Sequence, residues 1–224
     1  MDIVVDSLLN GSKNSKGIVV IIDVFRCFTT EAVAFSNGAE KIILVATIEE
    51  AIELKKLGFG DILMGEVSGK KPDGFDYGNS PSEISDLDFS GKTIIQSTRA
   101  GTVGVASATK ADMIFGGSFA VASATSEIIK SCSPKLITLV AMGLEATVRS
   151  DEDELCALFI KNLLQGRKSD VQSVKNLVLS GEEAQKYGNP NTPHWPAEDL
   201  DFCLNVDSFN FALKIEKEEG LLVC

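Results

Sequence analysis

The residues of this chain that can do chemistry stand in short polar clusters, and several of these directly follow a run of apolar, β-branched residues. Asp23-Val24-Phe25-Arg26 comes at the end of the IVVIID run, and Gly65-Glu66 follows Met64. Ser97-Thr98-Arg99-Ala100-Gly101-Thr102, Gly116-Gly117-Ser118 and Gly143-Leu144-Glu145 occupy the same position after later runs, and Ser150-Asp151-Glu152-Asp153 opens a helical stretch. Small residues at strand-to-helix turns let backbone N–H groups approach an anion, and the helix dipole favours negative charge there. Acidic residues at neighbouring strand ends can hold a hard cation such as magnesium through oxygen ligands. Arginine offers a fork suited to phosphate or sulfonate oxygens. Metal, anion cradle and a carboxylate or water nucleophile are the parts of a phosphoryl-transfer site.

Other catalytic patterns fail. Phe25 stands where an Asp-x-Asp phosphatase needs its second aspartate, and Gly116-Gly117-Ser118-Phe119-Ala120 is a near miss to the G-x-S-x-G elbow. The one histidine, His194, lies beside Trp195 in a Pro-rich loop, a poor basis for a Ser–His hydrolase. Neither G-x-x-x-x-G-K-[ST] nor G-x-G-x-x-G occurs, so nucleotide-binding signatures are missing.

Strands and helices must alternate to position these clusters. Strands are expected at Ile3–Val5, Ile18–Asp23, Lys41–Ala46, Asp61–Met64, Thr93–Gln96, Met113–Phe115 and Leu136–Ala141, with terminal strands Phe211–Ile215 and Leu221–Val223. Helices are expected at Thr30–Ser36, from the Thr47 cap to Leu57, at Gly101–Thr109, Ala120–Lys130 and Asp151–Leu164, and through most of Val171–Tyr187. The polar stretch from Gly65 to Pro81 is too long for a simple turn. The alternation predicts one α/β domain over residues 1–224, a three-layer α/β/α fold with a mostly parallel sheet. Ligands of such sheets bind beyond the carboxyl ends of the strands, where the polar clusters lie.

Composition narrows the partners. The 224 residues carry 21 − 32 = −11 charges, against nucleic acid, which is bound by clustered Lys and Arg. Apolar residues make up 44 % and no run is long enough to span a membrane. The start MDIVVDSLLNGSKNSKG lacks a signal-peptide pattern, and Cys27, Cys132, Cys156, Cys203 and Cys224 are an odd, widely spaced set, read as reduced thiols. A cytoplasmic location follows as the expectation, with self-association into a homo-oligomer left open.

The clusters together resemble a known family. Asp23–Thr30 (DVFRCFTT) with Asn37-Gly38-Ala39 resembles the D-x-x-R-x-x-T-T…N-G-A signature of 2-phosphosulfolactate phosphatases. Gly65-Glu66 and Gly74-Phe75-Asp76-Tyr77-Gly78-Asn79-Ser80-Pro81 resemble that family's G-E…G-F-D-x-G-N-S-P loop, the most specific single piece. Gly117-Ser118-Phe119, Glu152-Asp153-Glu154-Leu155-Cys156-Ala157 and Asp199-Leu200…Cys203-Leu204…Asp207…Phe209 match further stretches in order. Two positions depart: Ser97–Thr102 reads STRAGT where many members carry T-T-N-G-T, and Val121 replaces an asparagine.

The resemblance implies an α/β/α fold and magnesium-dependent hydrolysis of 2-phospho-3-sulfolactate to 3-sulfolactate and phosphate, a step towards coenzyme M. On that basis Asp23 and Glu66 are expected to hold Mg2+, with Asp23, Arg26 and Asp153 as the catalytic set. Asp76, Asn79, Ser80, Ser97, Thr98, Arg99, Gly101, Thr102, Gly117 and Ser118 are expected to meet a small anionic phosphorylated substrate. Whether a carboxylate attacks phosphorus or activates water stays open, as do a different phospho-hydroxy-acid substrate and a non-catalytic anion-binding role.

Overall fold

A computed structural model describes residues 1–224. Its strands are β1 (Asp2–Ser7), β2 (Gly17–Ile22), β3 (Lys41–Val45), β4 (Ile62–Gly65), β5 (Thr93–Ser97), β6 (Ala111–Gly117), β7 (Leu136–Ala141), β8 (Leu213–Glu218) and β9 (Leu221–Val223). The helices are α1 (Leu8–Asn14), α2 (Cys27–Ser36), α3 (Ile48–Lys56), α4 (Pro81–Ile84), α5 (Gly101–Ser107), α6 (Ala122–Ser131), α7 (Asp151–Leu164), α8 (Val171–Ser180) and α9 (Glu198–Cys203). No helix is long and apolar enough to cross a membrane, and all five cysteines are free thiols.

The nine strands form one sheet in the order β1-β7-β2-β6-β8-β9-β3-β5-β4. The block β1-β7-β2-β6 is parallel, and so is the block β3-β5-β4. The β8–β9 hairpin lies between them and pairs antiparallel with β6 on one side and β3 on the other. Strand neighbours alternate their side chains between faces. Val19 and Ile21 of β2 and Ile42 and Leu44 of β3 therefore join one core, together with Phe28 of α2 and Val105 of α5. Ile18, Val20 and Ile22 point the other way, into a second core with Ile129 of α6 and Ile160 of α7. Ile43, Val45 and Ile95 do the same in the other block, beneath Ala51 of α3. Helices thus cover both faces, giving the expected three-layer arrangement.

Local chemistry sets the helix ends. Thr47 caps α3 by accepting the Glu50 N–H at 3.2 Å, and Pro81 takes the first turn of α4 after the Ser80 cap. Besides the four-residue α4, two helices were not expected from the sequence. Four of the seven residues of α1 (LLNGSKN) are Asn, Gly or Ser, weak helix formers, and α9 is a short helix of six residues. The stretch Val171–Tyr187 is helical only to Ser180, where Gly181 ends α8; a single tighter turn follows at Ala184–Lys186.

Candidate active site

Asp23 is the first residue past β2, and its backbone N–H donates to the carbonyl of Gly117 at the end of β6, 3.2 Å away. Its carboxylate, 6 % exposed, accepts the Cys27 N–H at Oδ1 (3.2 Å) and the Gly101 N–H at Oδ2 (2.7 Å). These donors open α2 and α5, so one carboxylate joins the ends of strands from both parallel blocks. Position 101 must be glycine: a Cβ there would lie 2.5 Å from Cys27 Sγ and 2.9 Å from Asp23 Oδ2. Burial, reinforced by the charge of Glu66, pushes the Asp23 carboxyl up to about 6 against the pull of the two backbone bonds.

Two further carboxylates clasp loops in the same way. Asp153 accepts the Val24 N–H (2.7 Å) and the Gly143 N–H (2.8 Å), binding the turn after β2 to the turn after β7. Glu66 accepts the Arg99 N–H (2.8 Å) and the Gly69 N–H (2.7 Å), binding the segments after β4 and β5. Burial, with Glu152 and Asp23 nearby, pushes the Asp153 carboxyl well up. Glu152 is 5 % exposed, and burial first, then the charges of Glu183 and Asp23, pushes its carboxyl up to about 7.

These groups line a cleft of about 200 Å³. Asp23, Glu66, Glu145, Glu152, Asp153 and Glu183 supply its acidic surface; Arg26, Arg99 and Lys186 are its cations; Phe25, Tyr187 and Trp195 are its aromatic side. Arg26 is 3 % exposed and donates Nη1 to Asp199 Oδ2 (2.7 Å) and the His194 carbonyl (3.0 Å), and Nη2 to the Gly69 carbonyl (3.2 Å). Its guanidinium lies 5.8 Å from the centre of the Tyr187 ring. A guanidinium has five N–H donors, so Nε and one Nη2 hydrogen stay unspent on these partners. Arg99 is exposed at the rim and enters no ion pair with the protein. Lys186 is held by both oxygens of Glu183 (2.5 and 2.6 Å) and sits 5.6 Å from the Trp195 ring centre.

Of the residues expected from sequence to form the site, Asp23, Arg26, Glu66, Asn79, Arg99 and Asp153 line this cleft. The others stand behind it. Thr98 and Thr102 bond each other reciprocally, each backbone N–H to the other's Oγ1 (2.9 and 3.1 Å), so their hydroxyls are spent on the turn that presents Gly101. Ser97 is buried in the β5 ladder opposite Gly65 and Val45. Ser80 caps α4 and donates to Asp199 Oδ1 at 2.7 Å. Gly117 packs against Val20 and Ile22, and Ser118 is fully buried with no partner for its hydroxyl.

Asp76 corrects an expectation. It is turned away from the cleft, with a side chain 40 % exposed; its Oδ2 accepts Lys55 Nζ (2.5 Å) and the Leu63 N–H (2.7 Å). Those partners belong to α3 and β4, so the carboxylate is consumed by the outer face of the smaller block. The Gly74–Pro81 loop reaches the cleft through Asn79 alone.

Glu152 stood in one of the polar clusters without an assigned role, and sequence reasoning missed Glu183, Lys186, Tyr187 and Trp195 as cleft residues and Asp199 as the partner of Arg26. A cation followed by an aromatic residue, Lys186-Tyr187, directly before the Gly188–Pro193 breaker run was the available signal.

The comparisons with known proteins agree with one another. The family model described as 2-phosphosulpholactate phosphatase matches residues 4–218. A protein of Carboxydothermus hydrogenoformans named "Probable 2-phosphosulfolactate phosphatase" is 40 % identical over 216 residues, covering 92 % of this chain and 89 % of its own. Proteins of the same name from Thermoplasma acidophilum (34 % identical; 86 % and 83 % covered) and Bacillus subtilis (29 % identical; 90 % and 88 % covered) are also similar. The chain belongs to the 2-phosphosulpholactate phosphatase family.

Proposed function

We propose that this family member hydrolyses 2-phospho-3-sulfolactate to 3-sulfolactate and phosphate in the cleft at Asp23, with the assistance of magnesium. Family membership supports the reaction. The observation that carries the site is the clasped, buried Asp23, where the ends of β2 and β5 meet under an otherwise acidic surface.

The donor chemistry suits a hard divalent cation. Asp23, Glu66, Glu152 and Asp153 bring carboxyl oxygens to one small cavity. No three His, Cys, Asp or Glu side chains converge tightly enough to form a cage. Magnesium does not require such a cage, since it is commonly held by one or two carboxylates and keeps waters and substrate phosphate oxygens in its shell. Asp23 and Glu66 are the residues we assign to it. When bound, it would neutralise the charge of the phosphoryl oxygens.

The chain's own residues divide the remaining work. The unspent edge of Arg26 takes phosphoryl oxygens, and Arg99 at the rim takes the sulfonate or carboxylate end of the substrate. Asp23 either attacks phosphorus, forming an acyl phosphate as the ester P–O bond breaks, or orients the attacking water. Glu152, kept protonated towards neutral pH by burial, hands its proton to the departing alkoxide oxygen.

Phosphate release from a panel of phospho-hydroxy-acids, with magnesium or EDTA, tests this reading. Turnover of 2-phospho-3-sulfolactate that stops in EDTA and returns with magnesium is expected. Full activity in EDTA removes the metal, and preference for a phospho-acid without the sulfonate favours the second reading, which the altered Ser97–Thr102 turn motivates: a phosphatase for another small phospho-acid. Reductive trapping with borohydride separates the two attacks, since only an acyl phosphate on Asp23 is reduced to homoserine, whereas direct attack by water leaves Asp23 unchanged.

A further inference from the structure

Arg26 is held from behind by a residue that does not line the cleft. Asp199, the second residue of α9, is completely buried. Its Oδ2 accepts Arg26 Nη1 at 2.7 Å. Its Oδ1 accepts the Ser80 hydroxyl (2.7 Å), the Ser82 hydroxyl (2.6 Å) and the Ser82 N–H (3.0 Å).

We propose that Asp199 is a positioning residue of the active site: it fixes the plane of the Arg26 guanidinium so that the unspent donors of that group point at the phosphoryl end of the cleft. The proposal rests on the reading that the cleft binds phosphate.

Three features support it. An arginine side chain has several rotatable bonds, and a buried guanidinium keeps one orientation only where acceptors define its plane. Arg26 has three such acceptors, two from residues 194–199 and one from the Gly69 turn, and Asp199 is the charged one. The carboxylate is itself immobilised, because the three donors on Oδ1 leave it one rotamer, which is how outer-shell groups orient the residues that meet a ligand. Finally, Ser80 follows Asn79, which lines the cleft, so one carboxylate ties both Arg26 and the Asn79 loop to the same point. Stability alone does not require the arrangement, since a buried ion pair can often be replaced by apolar residues without loss.

Binding of inorganic phosphate in magnesium chloride, measured by calorimetry, tests the proposal without relying on turnover. Asp199→Asn keeps the size and removes the charge. It should weaken phosphate binding by about tenfold or more, the scale of a displaced charge-assisted contact. Arg26→Lys should weaken it comparably, and the double variant should be little worse than either single one, because Asp199 acts through Arg26. Binding by Asp199→Asn within about twofold of wild type, or additive losses in the double variant, overturns the proposal. If Asp199→Asn does not fold, Arg26→Met with Asp199→Leu removes both charges together. That pair should fold and fail to bind phosphate, and wild-type binding by it overturns the proposal equally. A wild-type protein that neither binds phosphate nor releases it from any phospho-acid overturns the phosphatase reading first, and this proposal with it.

Discussion

Asp23 and Asp76 each stand in a segment with a strong sequence signature, and the carboxylate of each accepts backbone N–H groups, from the starts of α2 and α5 at Asp23 and from β4 at Asp76. Their surroundings differ. Asp23 is buried between the openings of α2 and α5, in a cavity with other carboxylates. Asp76 lies on the far side of β4, the last strand of the sheet, where Leu63 gives its N–H to the carboxylate and receives the N–H groups of Asp76 and Tyr77 at its carbonyl. The Tyr77 carbonyl in turn accepts the Gly65 N–H. The Gly74–Pro81 loop therefore covers an open sheet edge, which would otherwise offer unpaired donors and acceptors to another chain. The more distinctive motif is mostly scaffold. The plainer one, DVFRCFTT, carries the charge at the cleft.

The sharpest way to break this comparison is to neutralise both aspartates. Asp23→Asn should lower kcat by at least about a thousandfold, the scale of losing a central charged group. Asp76→Asn should leave kcat/KM within about threefold. Comparable losses in steady-state assays would return the Gly74–Pro81 loop to the chemistry.

The next effect concerns the rim. Arg99→Ala should raise KM for a substrate with an extra anionic group by about tenfold to a hundredfold and leave small phosphomonoesters nearly unchanged. Equal losses for both substrates would place Arg99 on the phosphate.

A third test probes the buried side of the Asp23 segment. Glu31 of α2 is completely buried, with Oε2 unpartnered and Cys27 Sγ 3.6 Å from Oε1. Burial pushes its carboxyl up to about 8 from an ordinary 4.5. The folded state thus holds a proton that the unfolded chain releases, and stability declines as pH rises from about 4.5 to 8. The stabilising contribution is complete below the unfolded value. Glu31→Gln should flatten this slope, so that its Tm exceeds wild type by a few degrees, about 2–4 °C per kcal/mol, at pH 8 and not at pH 5. Parallel Tm curves for the two proteins would show that Glu31 does not hold that proton.

The smallest effect is expected at the sheet edge. Asp76→Ala loses the Leu63 contact and a half-exposed pair with Lys55. Thermal melts should show a loss of about 1 kcal/mol, since exposed pairs contribute little.

Much of this fold is legible in the sequence. Leu136–Ala141, Asp151–Leu164 and Leu221–Val223 carry their limits in apolar runs and caps and are observed at those limits. Helix α2 begins at Cys27 rather than Thr30, because its first N–H groups are directed at Asp23 and the turn's carbonyls, which no periodicity announces. The insertion of β8 and β9 between the two blocks is a matter of long-range pairing, invisible to local pattern. The cleft followed the same division. Polar residues just past the strands were readable as candidates. Asp199 was not readable as the partner of Arg26, because 173 residues separate them and only the folded chain brings them together.

The β8–β9 hairpin also bears on how the chain folds. All seven strands of the two parallel blocks precede it in sequence, yet no ladder joins the blocks without it. During synthesis both blocks leave the ribosome with an inner edge, β6 in one and β3 in the other, still without its antiparallel partner. Domains that depend on such late, non-local pairing fold slowly and pass through states with open edges. In this protein the interval between the emergence of β7 and of β9 is the time when a chaperone has most to protect.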